Sequence, residues 1–222
     1  RALSAARPGA RPAGRPAPSP GDPNTVRPPS LIGGPAIGTI YLLFAGGPSV
    51  YTSEIVDVLA QSGAKATFFA EEGAVASEPE TLREIMAAGD GVGISAWPHN
   101  GASPISQDVL SRTASATQIA VSSVDGITPT CLLAPYGSSD AASRARLAGL
   151  GLRVVVWDMD PQDWRLPGAT SIAGDVISYA RPGSMVLLHD GGGDRSQTVA
   201  ALEQIVPTLT RLGYTFAAIP DC

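Results

Sequence analysis

From Thr39 onward the chain alternates short apolar runs with longer amphipathic ones, and this alternation limits the fold more than any other feature. The runs TIYLLF (39–44), ATFF (66–69), GVGIS (91–95), CLLA (131–134), RVVVWD (153–158), SMVLLH (184–189) and YTFAAI (214–219) are bounded by Gly, Pro or Asp. They are apolar at nearly every position, as strands covered on both faces should be. Between them, helices are predicted near 52–62, 107–123, 139–149, 170–180 and 195–212. A further helix is predicted to start at a capping box of Ser77 with Glu80 and to end near Gly89. Seven strands and six helices imply right-handed βαβ crossovers and a closed or nearly closed parallel barrel, with an open doubly wound sheet as the alternative. In both, reactive groups belong at the C-terminal ends of the strands.

Composition narrows the class of function. Residues 1–30 hold five Arg, one Asp and eight of the 20 prolines, whereas the rest holds ten basic and nineteen acidic residues. So acidic a body argues against a nucleic-acid partner. The proline-rich stretch lacks apolar surface to offset its ordering entropy, and residues 1–37 read as an extended arm ahead of one domain at 38–222. The arm is expected to act as a tether, or to touch anionic cell-wall polymer or a protein partner. No apolar run approaches the ~18 residues of a bilayer span, and no charged-then-apolar leader opens the sequence, so it reads as a soluble, processed or truncated product.

Strand ends gather the residues that carry chemistry. They are Ala45-Gly46 after the first run, Glu71 and Glu72 after the second, Ser95 to His99 after the third and Pro135-Tyr136-Gly137 after the fourth. Asp158 to Trp164 follow the fifth and His189-Asp190 the sixth. Both histidines of the chain are in this set, which raises the weight of a functional reading over a structural one. Glu71 and Glu72 read most simply as solvated loop charges, and Asp158 and Asp160 as caps and turn residues.

The segments YLLFAGGPS, GISAWPH, LLAPYG, WDMDPQDW and LLHDGGGDRSQT, in that order over about residues 38–219, resemble the five motifs of the polysaccharide deacetylase family, carbohydrate esterases with a NodB homology domain. The resemblance implies a distorted (β/α) barrel of about seven parallel strands. It implies a divalent metal, usually zinc, that polarises an acetyl carbonyl and activates water. In active members the first strand ends Thr-Phe-Asp-Asp-Gly-Pro, supplying a base and a metal ligand. Two His ligands follow in the second motif, a base-orienting Arg in the third and a His acid in the fifth.

Where that chemistry is done, this sequence departs from the pattern. The base position is Ala45, the carboxylate ligand Gly46, the first ligand histidine Ser95 and the base-orienting position Leu133, so His99 alone remains of the metal ligands. No cofactor is therefore expected. On the acid side His189 remains, with Asp163 beside it in the family pattern. Tyr136, Trp164, Leu187 and Trp97 stand at positions that shape the acetyl pocket and groove. Leu43, Ile94, Ala96 and Ala134 also depart from the family, as drift after lost selection predicts.

Three expectations follow. The first is an inactive pseudoenzyme that still binds N-acetylated glycan or cell-wall polymer, located outside the cell or in its envelope by resemblance. The second is an active deacetylase with a rearranged site built from groups such as Glu71 or Asp160. The third is an assembly role. Separately, Cys131 is expected at the bottom of a strand and Cys222 after a strand that ends at the top. That separation would exceed the ~7 Å bridging limit and leave no intramolecular disulfide.

Overall fold

The computed structural model describes residues 25–26, 38–96, 106–133 and 141–222. Its strands are β1 (Thr25–Val26), β2 (Gly38–Ala45), β3 (Thr67–Ala70), β4 (Gly91–Ser95), β5 (Cys131–Leu133), β6 (Arg153–Val155), β7 (Met185–His189) and β8 (Tyr214–Phe216). All pair in parallel in the order β1-β6-β5-β4-β3-β2-β7, with β8 added to β2. Met159 bridges to Val186 on the open edge of β7, which curls the sheet toward closure. The result is a distorted (β/α) half-barrel, the fold that the motif resemblance implies. Thr25–Val26, within the stretch read as an arm, lines up with Val154 and Val155 of β6. No helix among the described residues is long and apolar enough to cross a membrane.

The helices are α1 (Val50–Gln61), α2 (Glu72–Ser77), α3 (Pro79–Ala87), α4 (Gln107–Asp125), α5 (Ala141–Gly149), α6 (Ala169–Tyr179) and α7 (Ser196–Arg211). Strand alternation sorts the core into two layers. Ile40, Leu42 and Phe44 of β2 point outward to the helices, joined by Ile55 and Leu59 of α1 and Leu202 and Ile205 of α7. Phe44 stacks on Phe68 with ring centroids 4.9 Å apart. Truncating either ring costs about 3–5 kcal/mol. Tyr41, Leu43 and Ala45 point inward, with Phe69, Leu133, Val155 and Leu187. Phe69 reaches over β4, where a Cβ on Gly93 would lie 2.5 Å from its ring. The barrel interior is thus a packed plug below a mouth at the strand ends.

Local differences from the sequence reading have clear causes. The capping box forms at Ser49 and Thr52 rather than at Ser77 and Glu80. Ser49 Oγ accepts from Tyr51 N at 3.2 Å, and Ser49 N donates to Thr52 Oγ1 at 2.8 Å. Ser77 ends α2 instead, its hydroxyl donating to Gly73 O, and α3 starts at Pro79, whose ring suits a first helical turn. Glu72 is a helix residue rather than a loop residue, while Glu71 forms the connection from β3. Glu71 is the N-cap of α2 and Glu72 lies in its first turn, where acidic side chains complement the helix dipole. β6 and β8 are shorter than expected.

The short β8 overturns the expectation about the cysteines. Cys131 and Cys222 are bridged, with Cα atoms 5.2 Å apart. β8 pairs only with Gly38–Ile40, the first three residues of β2, so the chain leaves it still at the bottom of the barrel. The tail then crosses that end: Ile219 N donates to Thr67 Oγ1 at the start of β3 at 2.8 Å, and Arg153 at the start of β6 donates to Pro220 O at 3.1 Å. This path delivers Cys222 to the first residue of β5. The sequence reading let β8 run on to residue 219, which would have carried the chain toward the top.

Candidate functional site

At the C-terminal ends of the strands lies a cleft of about 150 Å³ lined by Ala45, Gly46, Glu71, Ser95, Leu133, Leu187, His189, Gly191, Gly192 and Arg195. The expected strand-end residues Ala45, Gly46, Ser95, Leu133, Leu187 and His189 therefore converge. Parallel pairing sets Ala45 directly beside His189, and Ser95 beside Leu133. His99, Trp97 and Tyr136 lie outside the described residues.

One wall of the mouth is built around His189. Its ring Nδ1 is 2.8 Å from Asp163 Oδ1, and its backbone N–H donates to Asp163 Oδ2 at 2.8 Å. Thr198, in the first turn of α7, donates its hydroxyl to the same Oδ2 at 2.8 Å. Asp163 is wholly buried in a short 3₁₀ turn, Asp163–Arg165, and three donors hold it. As a buried acceptor it takes its hydrogen bond from Nδ1 and so fixes the orientation of the ring. The His189 side chain is 22 % exposed, its open part toward the cleft. Thr198 was not foreseen, because no spacing distinguishes it from other hydroxyls at helix starts.

Beside His189, the turns that follow β2 and β7 pack closely on each other. Gly46 has φ +92°, and a Cβ there would sit 3.0 Å from the backbone of Gly191. A Cβ on Gly191 would come within 2.0 Å of Gly46 O, and one on Gly47 within 2.0 Å of Asp190 Oδ2. Backbone meets backbone here, which only glycine permits. Asp190 is buried underneath, accepting from Thr52 Oγ1 at 2.7 Å. Burial pushes its carboxyl up to about 6, against the opposing hydrogen bond from Thr52. Arg195, also buried, spends its donors on the carbonyls of Gly191, Gly192 and Asp194 and so stiffens the same loop.

Other candidates stand outside the lining of the cleft. Asp158 is not at the mouth: it accepts from Met185 N at 2.8 Å, at the start of β7, and pairs with Arg181 at 2.9 Å. The reason is again a short β6, after which the chain crosses to the edge of β7 instead of running upward. Asp160 accepts from Gln162 N at 2.8 Å, as an Asx-type turn residue does, yet it lies near enough to His189 and Asp163 to feel their charges, and burial raises its carboxyl above the usual range. Trp164 is 45 % exposed, with the Arg165 guanidinium 4.6 Å from its ring centroid. One indole face is thereby covered by a cation.

A zinc ion of the family type does not fit the residues in this mouth. Gly46 has no side chain, Ser95 offers a neutral hydroxyl, and no three His, Cys, Asp or Glu side chains among the described residues could hold a metal together. What remains is an imidazole oriented by Asp163 beside a pair of glycine turns.

A model of the polysaccharide deacetylase family matches residues 33–155. The chain is 35% identical over 194 residues to a chitooligosaccharide deacetylase of Rhizobium leguminosarum bv. trifolii, covering 82% of this chain and 90% of that one. It is 35% identical over 193 residues to a peptidoglycan-N-acetylglucosamine deacetylase of Bacillus cereus, covering 82% and 86%. Among solved structures, a family 4 carbohydrate esterase from Streptomyces lividans in complex with acetate superimposes with a TM-score of 0.73 at 31% identity, over 82% of this chain and 92% of that one.

Proposed function

This chain belongs to the polysaccharide deacetylase family, and we propose that within it the chain is a glycan-binding member without the metal-dependent deacetylase reaction. One observation supports the reading: Ala45, Gly46, Ser95 and Leu133 line a single mouth, and the motif resemblance sets them at the four positions where active members keep a base, two metal ligands and the arginine that orients the base. Affinity for zinc is built from several donors on one centre, and an unassisted amide carbonyl resists attack by water. The glycine turns add a second reason. A carboxylate at position 46 needs a backbone that an L side chain adopts readily, and φ +92° is not one. Leu43, Ile94 and Ala96 pack as ordinary buried apolar residues, in keeping with drift around an unused site.

The ligand is an N-acetylated glycan, the class on which the named relatives act, held by the exposed indole of Trp164 and the cleft beside it. The protein works outside the cytosol, where a bridge such as Cys131–Cys222 persists.

Protein purified without chelators is measured for zinc and for acetate release from N-acetylglucosamine oligomers. The expected result is far less than one zinc per chain, no acetate above background, and weak oligomer binding that Trp164→Ala diminishes. Acetate release that a chelator abolishes would sink the proposal in favour of an active, rearranged site. Glu71, which lines the cleft, would then be the first replacement ligand to test, followed by Asp160 and Glu72.

A further inference from the structure

We propose that Cys222 is a thiol-exchange site: a low-molecular-weight thiol opens the Cys131–Cys222 bridge by attack on Cys222 Sγ, with Cys131 as the leaving sulfur. The site lies at the bottom of the barrel, and the proposal stands whether or not the cleft at the other end binds glycan. Three observations carry it. The two cysteines differ in access: Cys131 is wholly buried at the first position of β5, whereas Cys222 is only half-buried. Access selects the sulfur that is attacked, so an incoming thiolate meets Cys222. A cation stands at the other sulfur. Nη2 of Arg153 lies 3.7 Å from Cys131 Sγ, held in place by the carbonyls of Pro220 at 3.1 Å and Asp221 at 2.5 Å. Burial among Leu133, Val155 and Ile219 opposes negative charge on Cys131, and the guanidinium offsets that cost. A sulfur whose charge is so stabilised leaves more readily. Finally, Asp221, next to Cys222, has φ +56°, a conformation seldom adopted by a residue with a side chain. Its carbonyl accepts from Thr130 as well as from Arg153. Opening the bridge removes one constraint on this turn, while the hydrogen bonds keep Cys222 close to Cys131.

The thiol gives its proton to solvent, and its sulfur bonds to Cys222 Sγ as the bond from Cys222 Sγ to Cys131 Sγ breaks. The products are a mixed disulfide on Cys222 and a Cys131 thiolate beside Arg153. One disulfide and one thiolate enter and one of each leaves, so the step needs no other oxidant or reductant. In the reverse direction the Cys131 thiolate attacks Cys222 Sγ, expels the small thiol and restores the bridge. The tail hydrogen bonds favour this return, because they hold the two sulfurs together. Cys222 thus carries a covalent cap that is removable by the same chemistry that installs it.

The oxidised full chain is mixed with excess glutathione, sampled at early times into acid, unfolded with an alkylating agent, and read by intact mass and peptide map. The expected product carries one glutathionyl group on Cys222 and an alkyl group on Cys131. Its rate of formation should be the same in urea too dilute to unfold the chain, since the attack needs no global opening. Arg153→Gln should slow the reaction by at least about threefold, and Arg153→Lys, which keeps the charge, by less than about threefold. This contrast separates charge from anchoring, because loss of the tail anchor alone would expose Cys222 and speed the exchange. No adduct, an adduct on Cys131, or a rate that climbs with urea as unfolding does overturns the inference. So does Arg153→Gln reacting less than about threefold slower than wild type, or Arg153→Lys slowing as much as Arg153→Gln. Should Arg153→Gln fail to fold by circular dichroism, the wild-type map and the urea series decide alone.

Discussion

Asp190 sits wholly buried under the Gly46–Gly47 turn, with Oδ2 accepting from Thr52 and Oδ1 without a hydrogen-bond partner. Burial raises its carboxyl from 3.8 to about 6. A raised acid favours the protonated native state. Its contribution is therefore complete below about pH 4, is lost as pH rises toward 6, and is absent above that. The shift corresponds to about 3 kcal/mol. Asp190→Asn, which cannot ionise, should be less stable than or equal to wild type at pH 4 and more stable at pH 8, read from urea midpoints. Parallel pH profiles for the two proteins would show that Asp190 does not carry this dependence. The neighbouring glycine makes a second forecast. Gly46→Asp forces a Cβ into φ +92° against Gly191, so it should cost about 1–3 kcal/mol even as it restores a ligand. Adding Ser95→His to it should give measurable zinc binding only where this turn rearranges, and isothermal titration with zinc checks this. Sequence alone named Ala45 and Gly46 as lost chemistry but could not see the strained turn, because a positive φ at glycine leaves no trace in composition.

The elements that frame the mouth are joined more tightly than their strand ends suggest. Thr52 accepts from Ser49 N and donates to Asp190, so one hydroxyl both caps α1 and ties it to the end of β7. Ser49 adds its own hydroxyl bond to Asp190 O. Thr52→Val keeps shape but removes both roles. A cost of about 1–3 kcal/mol is expected, from a lost cap and a buried carboxyl left without its donor. A loss below about 0.5 kcal/mol in chemical denaturation would assign the junction to apolar packing instead. Strand and helix positions were legible because β2, β4 and β7 are apolar throughout and the helices carry one apolar face. Their ends were less so. Ser77 with Glu80 satisfied the spacing of a capping box, yet Pro79 between them prefers the first helical turn and moved the boundary. The place of Asp158 failed for a related reason: RVVVWD reads as one strand, while only Arg153–Val155 pairs with β5.

At the scale of the whole molecule, site and stability are divided between opposite ends of the barrel. The mouth holds glycine turns and the His189–Asp163 pair, with the exposed indole of Trp164 next in sequence to Asp163. The bottom is closed by the C-terminal tail, with Ile219 in the inner core and Cys222 bridged to Cys131. The parallel architecture and the five motif segments could be read in the sequence, since both rest on local pattern. The bridge could not, because it depends on where a three-residue strand stops. That bridge closes a loop across 91 positions of sequence separation, and a cross-link of this span removes enough freedom from the unfolded chain to stabilise the fold by about 4 kcal/mol. The native tail has other anchors, from Arg153 to Pro220 O and from Ile219 N to Thr67, that survive reduction. Cys222→Ser should therefore leave a folded barrel whose stability is lower by about 2–5 kcal/mol in urea, with the wild type matching it once reductant is present. Because the bridge lies at the end away from the cleft, oligosaccharide binding in the folded variant should be unchanged. A variant as stable as oxidised wild type would mean that the hydrogen-bonded tail alone closes the barrel, and altered binding would mean that the two ends are coupled through the inner core of Leu43, Phe69 and Leu187.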